Sequence, residues 1–317
     1  MRLVHASIAT FVLCAGAALS VAPLPAASAA AARSSAAASS ADADAFVGAR
    51  RALHDAVSHG TPDDLLRARA GLAALAAADP GTARLRYWVA LADWRVVPRI
   101  MDKDRAHAER YCKDGLENLE RVLQLDPKDA EALALKASLQ GISLSFSPGD
   151  MMTLGAEMEA EMGRAVSLAP GNPRVLFLQA LNTLNKPAFV GGGPEKALEQ
   201  FRNAQAAFEA EPADTTAAAW GRDDACLWAG RAAMKLEDYS AAVRFYRKAL
   251  AANPEYAWVK YALLPEAEKA LAAAHKAPAS TDSAAAAAGR PPSVAVPASA
   301  VPESLRTPAA ADSLQTR

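Results

Sequence analysis

The residues that could act on a substrate or hold a metal are few, and their spacing does not favour it. His54 and His59 are five apart in a stretch of helical pattern, so they do not share a face as residues four apart would. There is no HExxH pattern and no Cys/His ligand spacing, and His107 and His275 stand alone. Solvated surface histidines are the stronger reading, and no metal or other cofactor is expected. Asp63-Asp64 and Asp223-Asp224 are carboxylate pairs. General acid–base work needs carboxylates that converge on a cleft from different elements. Both pairs fall in or near first helical turns, where the helix dipole favours acids, so capping explains them better. Gly191-Gly192-Gly193 precedes a helix starting near Pro194, and such a loop can cradle an anion with its N–H groups. It lacks the lysine and hydroxyl of a GxxxxGK[ST] loop and follows no strand, which favours a tight turn that needs positive φ. No catalytic centre assembles from these residues, and the chain is not expected to be an enzyme.

The composition narrows the partner classes. The chain has 317 residues and a formal net charge of −1, so no strong field draws it to nucleic acid or anionic lipid. No Lys/Arg cluster is interleaved with aromatics, which removes support for nucleic-acid binding. Apolar residues make up 52% of the chain, and much of that is alanine, which favours helix and lets helices approach closely.

The N-terminus reads as an export signal. Arg2 supplies a short positive start, residues 6–22 are uncharged and mostly apolar, and Ala27-Ser28-Ala29 is a small-x-small cleavage pattern after Pro23 and Pro25. Residues 1–29 are expected to be a Sec-type signal peptide cut near Ala29. The mature protein would then be periplasmic or secreted, with no stable membrane insertion. Cys14 follows Leu13 inside the apolar run, which argues against a lipid anchor. ATP and nucleic acid are not expected partners in that compartment. Residues 30–44 and 276–317 are rich in Ala and Ser, with Asp in the first and Pro in the second. They have too little periodic apolar surface to offset ordering entropy and are expected to be a disordered linker and a disordered tail.

Residues 45–275 read as helices without strand alternation. Thr61-Pro62-Asp63-Asp64 and Asn172-Pro173 are helix starts, and Asp238 precedes another helical run. A helix ends in a short x-Pro turn at Asp79-Pro80, Asp126-Pro127, Ala169-Pro170 and Asn253-Pro254. Successive prolines among the first three are 47 and 43 residues apart, and two such intervals, 84 residues, separate Pro170 from Pro254. Spacings of this size mark helical-repeat arrays. Cys112 and Cys226 lie three repeats apart, too far for a bridge in a stacked array, and read as buried apolar thiols.

The segment from Cys226 to Pro254 resembles a tetratricopeptide repeat. Small residues stand where two helices must nearly touch, at Gly230, Ala242 and Ala249, with the aromatic Tyr246 and the closing Pro254. Cys226 and Ala229 stand where that pattern has Trp and Leu. Ten residues on from Pro80, Pro127 and Pro170 lie Ala90, Ala137 and Ala180, each small as the register demands. The strings 169–178, 185–198, Trp220-Gly221 and 254–265 also resemble a group of exported bacterial tetratricopeptide-like proteins of no established activity. The resemblance implies an all-α, right-handed α-solenoid of about five helical hairpins, with terminal helices near 46–59 and 256–274 as caps.

The resemblance also implies which residues face a partner. First helices of the pairs line the concave face, and they carry Tyr87, Trp88, Trp94, Phe177 and Trp228. Counted groove positions include Tyr87, Leu91, Trp94 and Arg95, then Phe177, Leu181 and Leu184, then Leu227, Arg231, Met234 and Lys235. Trp94, Phe177, Leu181, Arg231 and Lys235 are the candidate partner-binding residues, an apolar floor flanked by cations that suits a peptide or an acidic segment. Packing between repeats is the competing role for most of them. The expected function is a scaffold or adaptor binding a protein or peptide on the concave face. The alternative is a small-solute-binding subunit with a pocket roofed by loops 143–150 and 186–193.

Overall fold

The structure is a computed structural model and describes residues 26–211 and 220–276. The expected leader up to residue 25 and the tail from residue 277 lie outside the described residues. The chain divides into two compact units, Met1–Asp44 and Ala45–Arg317. In the first, the described residues form the N-terminal part of helix α1 (Ala26–His59). Residues 30–44, expected without structure, are therefore helical. Alanine keeps its preference for helix even where no apolar stripe is present.

In the second unit the rest of α1 is followed by α2 (Pro62–Ala78), α3 (Ala83–Ile100), α4 (Arg105–Leu125) and α5 (Ala130–Ser143). After these come α6 (Met151–Leu168), α7 (Pro173–Asn185), α8 (Pro194–Ala210), α9 (Arg222–Lys235), α10 (Tyr239–Ala252) and α11 (Leu264–Lys276). The described residues contain no strand. Consecutive helices pack as hairpins, α3 with α4, α5 with α6, α7 with α8 and α9 with α10, and each hairpin packs on the next. The architecture is an all-α solenoid.

Local chemistry starts the helices where the sequence suggests. Thr61 and Asp64 form a reciprocal cap on α2: the Asp64 amide donates to Thr61 Oγ1 at 3.3 Å, and the Thr61 amide donates to Asp64 Oδ2 at 2.8 Å. Asn172 Oδ1 accepts from the amides of Arg174 and Val175 at the head of α7. Asp238 accepts from the Ala241 amide at the head of α10.

Packing separates two kinds of helix. The second helices α4 and α10 bury one stripe, in α10 Ala241, Ala242, Val243, Tyr246 and Ala249. The first helices α3 and α5 are buried nearly all round, with Tyr87–Trp94 in α3 and Ala132–Leu135 in α5 all inside. A helix apolar on every side must be covered on every side. Small residues permit this: Ala90, Ala137, Ala180, Ala242 and Ala249 are fully buried. A Cβ at Gly230 would run into the Tyr246 ring, so α9 and α10 meet there backbone against ring.

Candidate functional site

The inner face of the array is filled by the chain itself at one end. Trp220, just before α9, inserts against Trp94 of α3 and Phe177 of α7, with ring centroids 6.2 Å apart in each case. Phe177 also meets Phe201 of α8 at 6.2 Å and the edge of Trp94 at 6.4 Å. The Trp94 indole donates to Ser138 Oγ at 3.0 Å. Trp94, Phe177 and Leu181, expected to face a partner, are thus buried within the chain's own core. Leu91, Leu184 and Leu227 are buried as well, and Tyr87 donates to Glu131 Oε2 at 3.1 Å.

Next to this aromatic cluster, Phe46, Arg50, Val57 and Ser58 of α1 touch α3 and the end of α10. Arg50 stacks 4.5 Å from the Trp88 ring centroid, and Phe46 packs edge-on to the same ring. At the other end of this stretch, Asn253, at the end of α10, donates to Ser58 Oγ and to Asp223 Oδ2, each at 2.8 Å. Arg99 donates to the Val57 carbonyl near the C-terminus of α1, where a cation is favoured. The segment expected as a terminal cap therefore touches both ends of the array. Arg95 of α3 closes the same junction as a two-pronged pair with Asp224 of α9, Nη1 to Oδ1 at 2.9 Å and Nη2 to Oδ2. Tyr256 donates to Asp224 Oδ1 at 3.1 Å. Burial, and then the neighbouring Asp224 charge, raise the Asp223 carboxyl above its ordinary range. Asp223-Asp224 stands in the first turn of α9, as expected, and also anchors a long-range buried network.

Further along α9 the face changes character. Trp228 and Trp258 are half-buried and pack edge-on with centroids 6.4 Å apart. The Arg231 guanidinium lies 5.8 Å from the first ring and 5.4 Å from the second. Among the described residues Arg231 has no carboxylate partner, and exposed Lys235, one turn on, has none either. Trp258 leads into a five-residue π-turn, Val259–Leu263, that displays Tyr261 at 63% exposure. Arg231 and Lys235 are thus the two candidate residues that reach the surface.

The other expected features resolve into local structure. Gly191 and Gly193 have φ of 83° and 116°, the positive-φ turn anticipated before α8. The amides of Gly191, Gly192 and Gly193 donate to the carbonyls of Ala188, Pro187 and Thr183, so none remains to bind an anion. Cys112 and Cys226 are buried and unbridged, and burial pushes both thiols up to about 12. Among the described residues no group of His, Cys, Asp and Glu could hold a metal ion, and no helix is long and apolar enough to cross a membrane. A cleft of about 390 Å³ lies between α2, α3 and α4, and a void of about 20 Å³ lies beside Arg95 and Trp220. Neither is lined by loops 143–150 or 186–193.

Comparison with known proteins gives three results. A tetratricopeptide-repeat family model matches residues 223–256, the α9–α10 hairpin with the turn that follows. Among solved structures the chain is similar to a HusA haemophore from Porphyromonas gingivalis, with a TM-score of 0.46 and 24% identity, over 55% of this chain and 86% of that one. No curated protein matches. The repeat matched at α9–α10 and the same hairpin packing running back to α3 support a tetratricopeptide-like assignment.

Proposed function

We propose that this protein is an exported scaffold or adaptor that binds a protein or peptide partner, and that binding centres on the stretch of the inner face around Arg231. Tetratricopeptide repeats generally mediate protein interactions, which supports the class of function. One observation carries the choice of surface. Trp220 covers the inner face at Trp94 and Phe177, whereas Arg231 stands between two half-buried tryptophans with no carboxylate partner among the described residues. Aromatic and arginine side chains in that setting are the commonest binding hot spots. Export is supported by Arg2, the apolar run 6–22 and the small-residue site ending at Ala29.

The binding test is a pull-down from periplasmic extract with folded variants. Arg231→Ala is expected to weaken capture about thirtyfold, on the scale of ~2 kcal/mol for a hot spot. Arg244→Ala, an exposed change on α10, is expected to leave capture intact. Full retention by Arg231→Ala, with loss in Arg244→Ala, would move the site to the opposite face. Export is checked by N-terminal sequencing of the purified protein, which should begin at or near Ala30. Mature chain recovered with Met1 or Arg2 at its terminus would overturn it.

A further inference from the structure

The cleft between α2, α3 and α4 combines an apolar floor with a charged rim, and the partner surface around Arg231 makes no use of it. Pro62 and Leu66 of α2, Ile100 of α3 and Tyr111 of α4 line the cleft, and all four are buried or half-buried. Lys103, His107 and Arg110 line it as exposed side chains, and so do Asp63 and Asp104. Arg110 lies 5.5 Å from the Tyr111 ring centroid, which keeps its guanidinium beside the floor. Half-buried Arg99 completes the lining. Its Nη2 donates to the Val57 carbonyl at 3.3 Å, and its buried Nη1 donates to nothing. Asp224, whose charge also acts on Arg99, is already taken by Arg95 and Tyr256.

The charges and the floor together decide the class of ligand. The helix starts beside the cleft are capped, α2 by Thr61 and α4 by Asp104, so side chains must supply the donors. Asp104 also holds the His107 ring, with Nδ1 and Oδ2 2.5 Å apart. Apart from His107, the charged lining is Arg99, Lys103 and Arg110 against Asp63 and Asp104, which leaves one positive charge over. That surplus suits a monoanion, and the two carboxylates repel a dianion such as phosphate. A bare inorganic ion would also leave the apolar floor uncovered, and a volume of about 390 Å³ has room for an organic body. We propose that this cleft binds a small organic monocarboxylate. The carboxylate sits among Arg99, Lys103 and Arg110, and an aromatic or aliphatic body lies against Leu66, Ile100 and Tyr111. A carboxylate on a guanidinium is among the stronger charge-assisted contacts, and a partly enclosed apolar floor strengthens it by excluding water.

The test uses the full chain and naphthoate, a monocarboxylate with a flat apolar body, read by calorimetry at constant ionic strength. Its neutral amide and inorganic phosphate are the controls. Naphthoate is expected to bind at least about tenfold more tightly than the amide, and phosphate is expected not to displace it. Exposed Arg110→Gln and Lys103→Gln should each weaken naphthoate a few-fold and leave the amide unchanged. Leu66→Trp, which fills the floor, should weaken both compounds about tenfold. Arg231→Gln should leave naphthoate binding as it is, which separates this cleft from the α9 surface. Circular dichroism should show all four variants folded. Equal binding of naphthoate and its amide, or displacement by phosphate, overturns the monocarboxylate. Naphthoate binding that survives Leu66→Trp and Arg110→Gln undiminished, or that is lost in Arg231→Gln, overturns the cleft as the site.

Discussion

At the scale of single residues, the aromatic side chains have changed role between pattern and structure. Counting along a repeat puts Trp94 and Phe177 on a partner's side, but Trp220 meets both and buries them. Their first effect is therefore on stability. Phe177→Ala and Trp220→Ala should each cost about 3–5 kcal/mol in denaturant unfolding, the usual range for deleting a large buried ring. A cost below about 1 kcal/mol in both would mean that the cluster is open to solvent. The buried carboxyls set a pH dependence. Asp93 is fully buried, and burial raises its carboxyl to about 7 despite Arg69 Nε at 2.8 Å. Burial also raises Asp129 and Asp223. A group whose folded pKa is raised binds its proton more tightly in the folded state, so stability falls as pH climbs from the ordinary carboxylate range through the raised value. Exposed Asp64, Asp104 and Glu109, whose pKa values are lowered, have finished titrating below that window. The melting temperature should therefore drop by a few degrees from about pH 5 to about pH 8, and Asp93→Asn should flatten the drop. A rise over the same interval would contradict it.

At the scale of the element, most of the fold is legible because its signals are local. The caps at Thr61, Asn172 and Asp238 bond to amides two or three residues away, so composition alone places them. The prolines fix where helices stop, and alanine and glycine fix where two helices touch. Replacing Ala242 or Ala249 by Leu should overpack the α9–α10 hairpin by about 1–3 kcal/mol, read from denaturant midpoints. Gly230→Ala should also destabilise, because its new methyl meets the Tyr246 ring. Full stability in all three would mean that the hairpin is looser than described. What the sequence hides is the partnering of α1 and Trp220. Residues 45–59 have a plausible amphipathic pattern, but nothing local says whether that stripe caps one repeat or spans the first and the last. Residues 30–44 hide for another reason: alanine supports a helix there without an apolar face to announce it.

At the scale of the whole repeat unit, the contact that most changes the functional picture is Arg95 with Asp224, 129 residues apart in sequence. It joins α3 to α9, beside the Asn253 amide that bonds both Ser58 of α1 and Asp223 of α9. No periodicity could reveal a pair at that separation, since each partner looks locally like a groove cation or a first-turn acid. Asp224→Ala strands a buried guanidinium and should cost about 3–5 kcal/mol, whereas the triple change Arg95→Met, Asp224→Leu and Tyr256→Phe, which also removes the hydroxyl that donates to Asp224, should cost far less. Equal losses in the two variants would mean that the pair is solvent-screened. The proposed partner site around Arg231 can be tested in living cells. A photoreactive side chain at Lys235 should crosslink a discrete partner, identified by mass spectrometry. The same group at Arg244, exposed on α10, should not. Crosslinks from Arg244 with none from Lys235 would contradict a partner site on the α9 face.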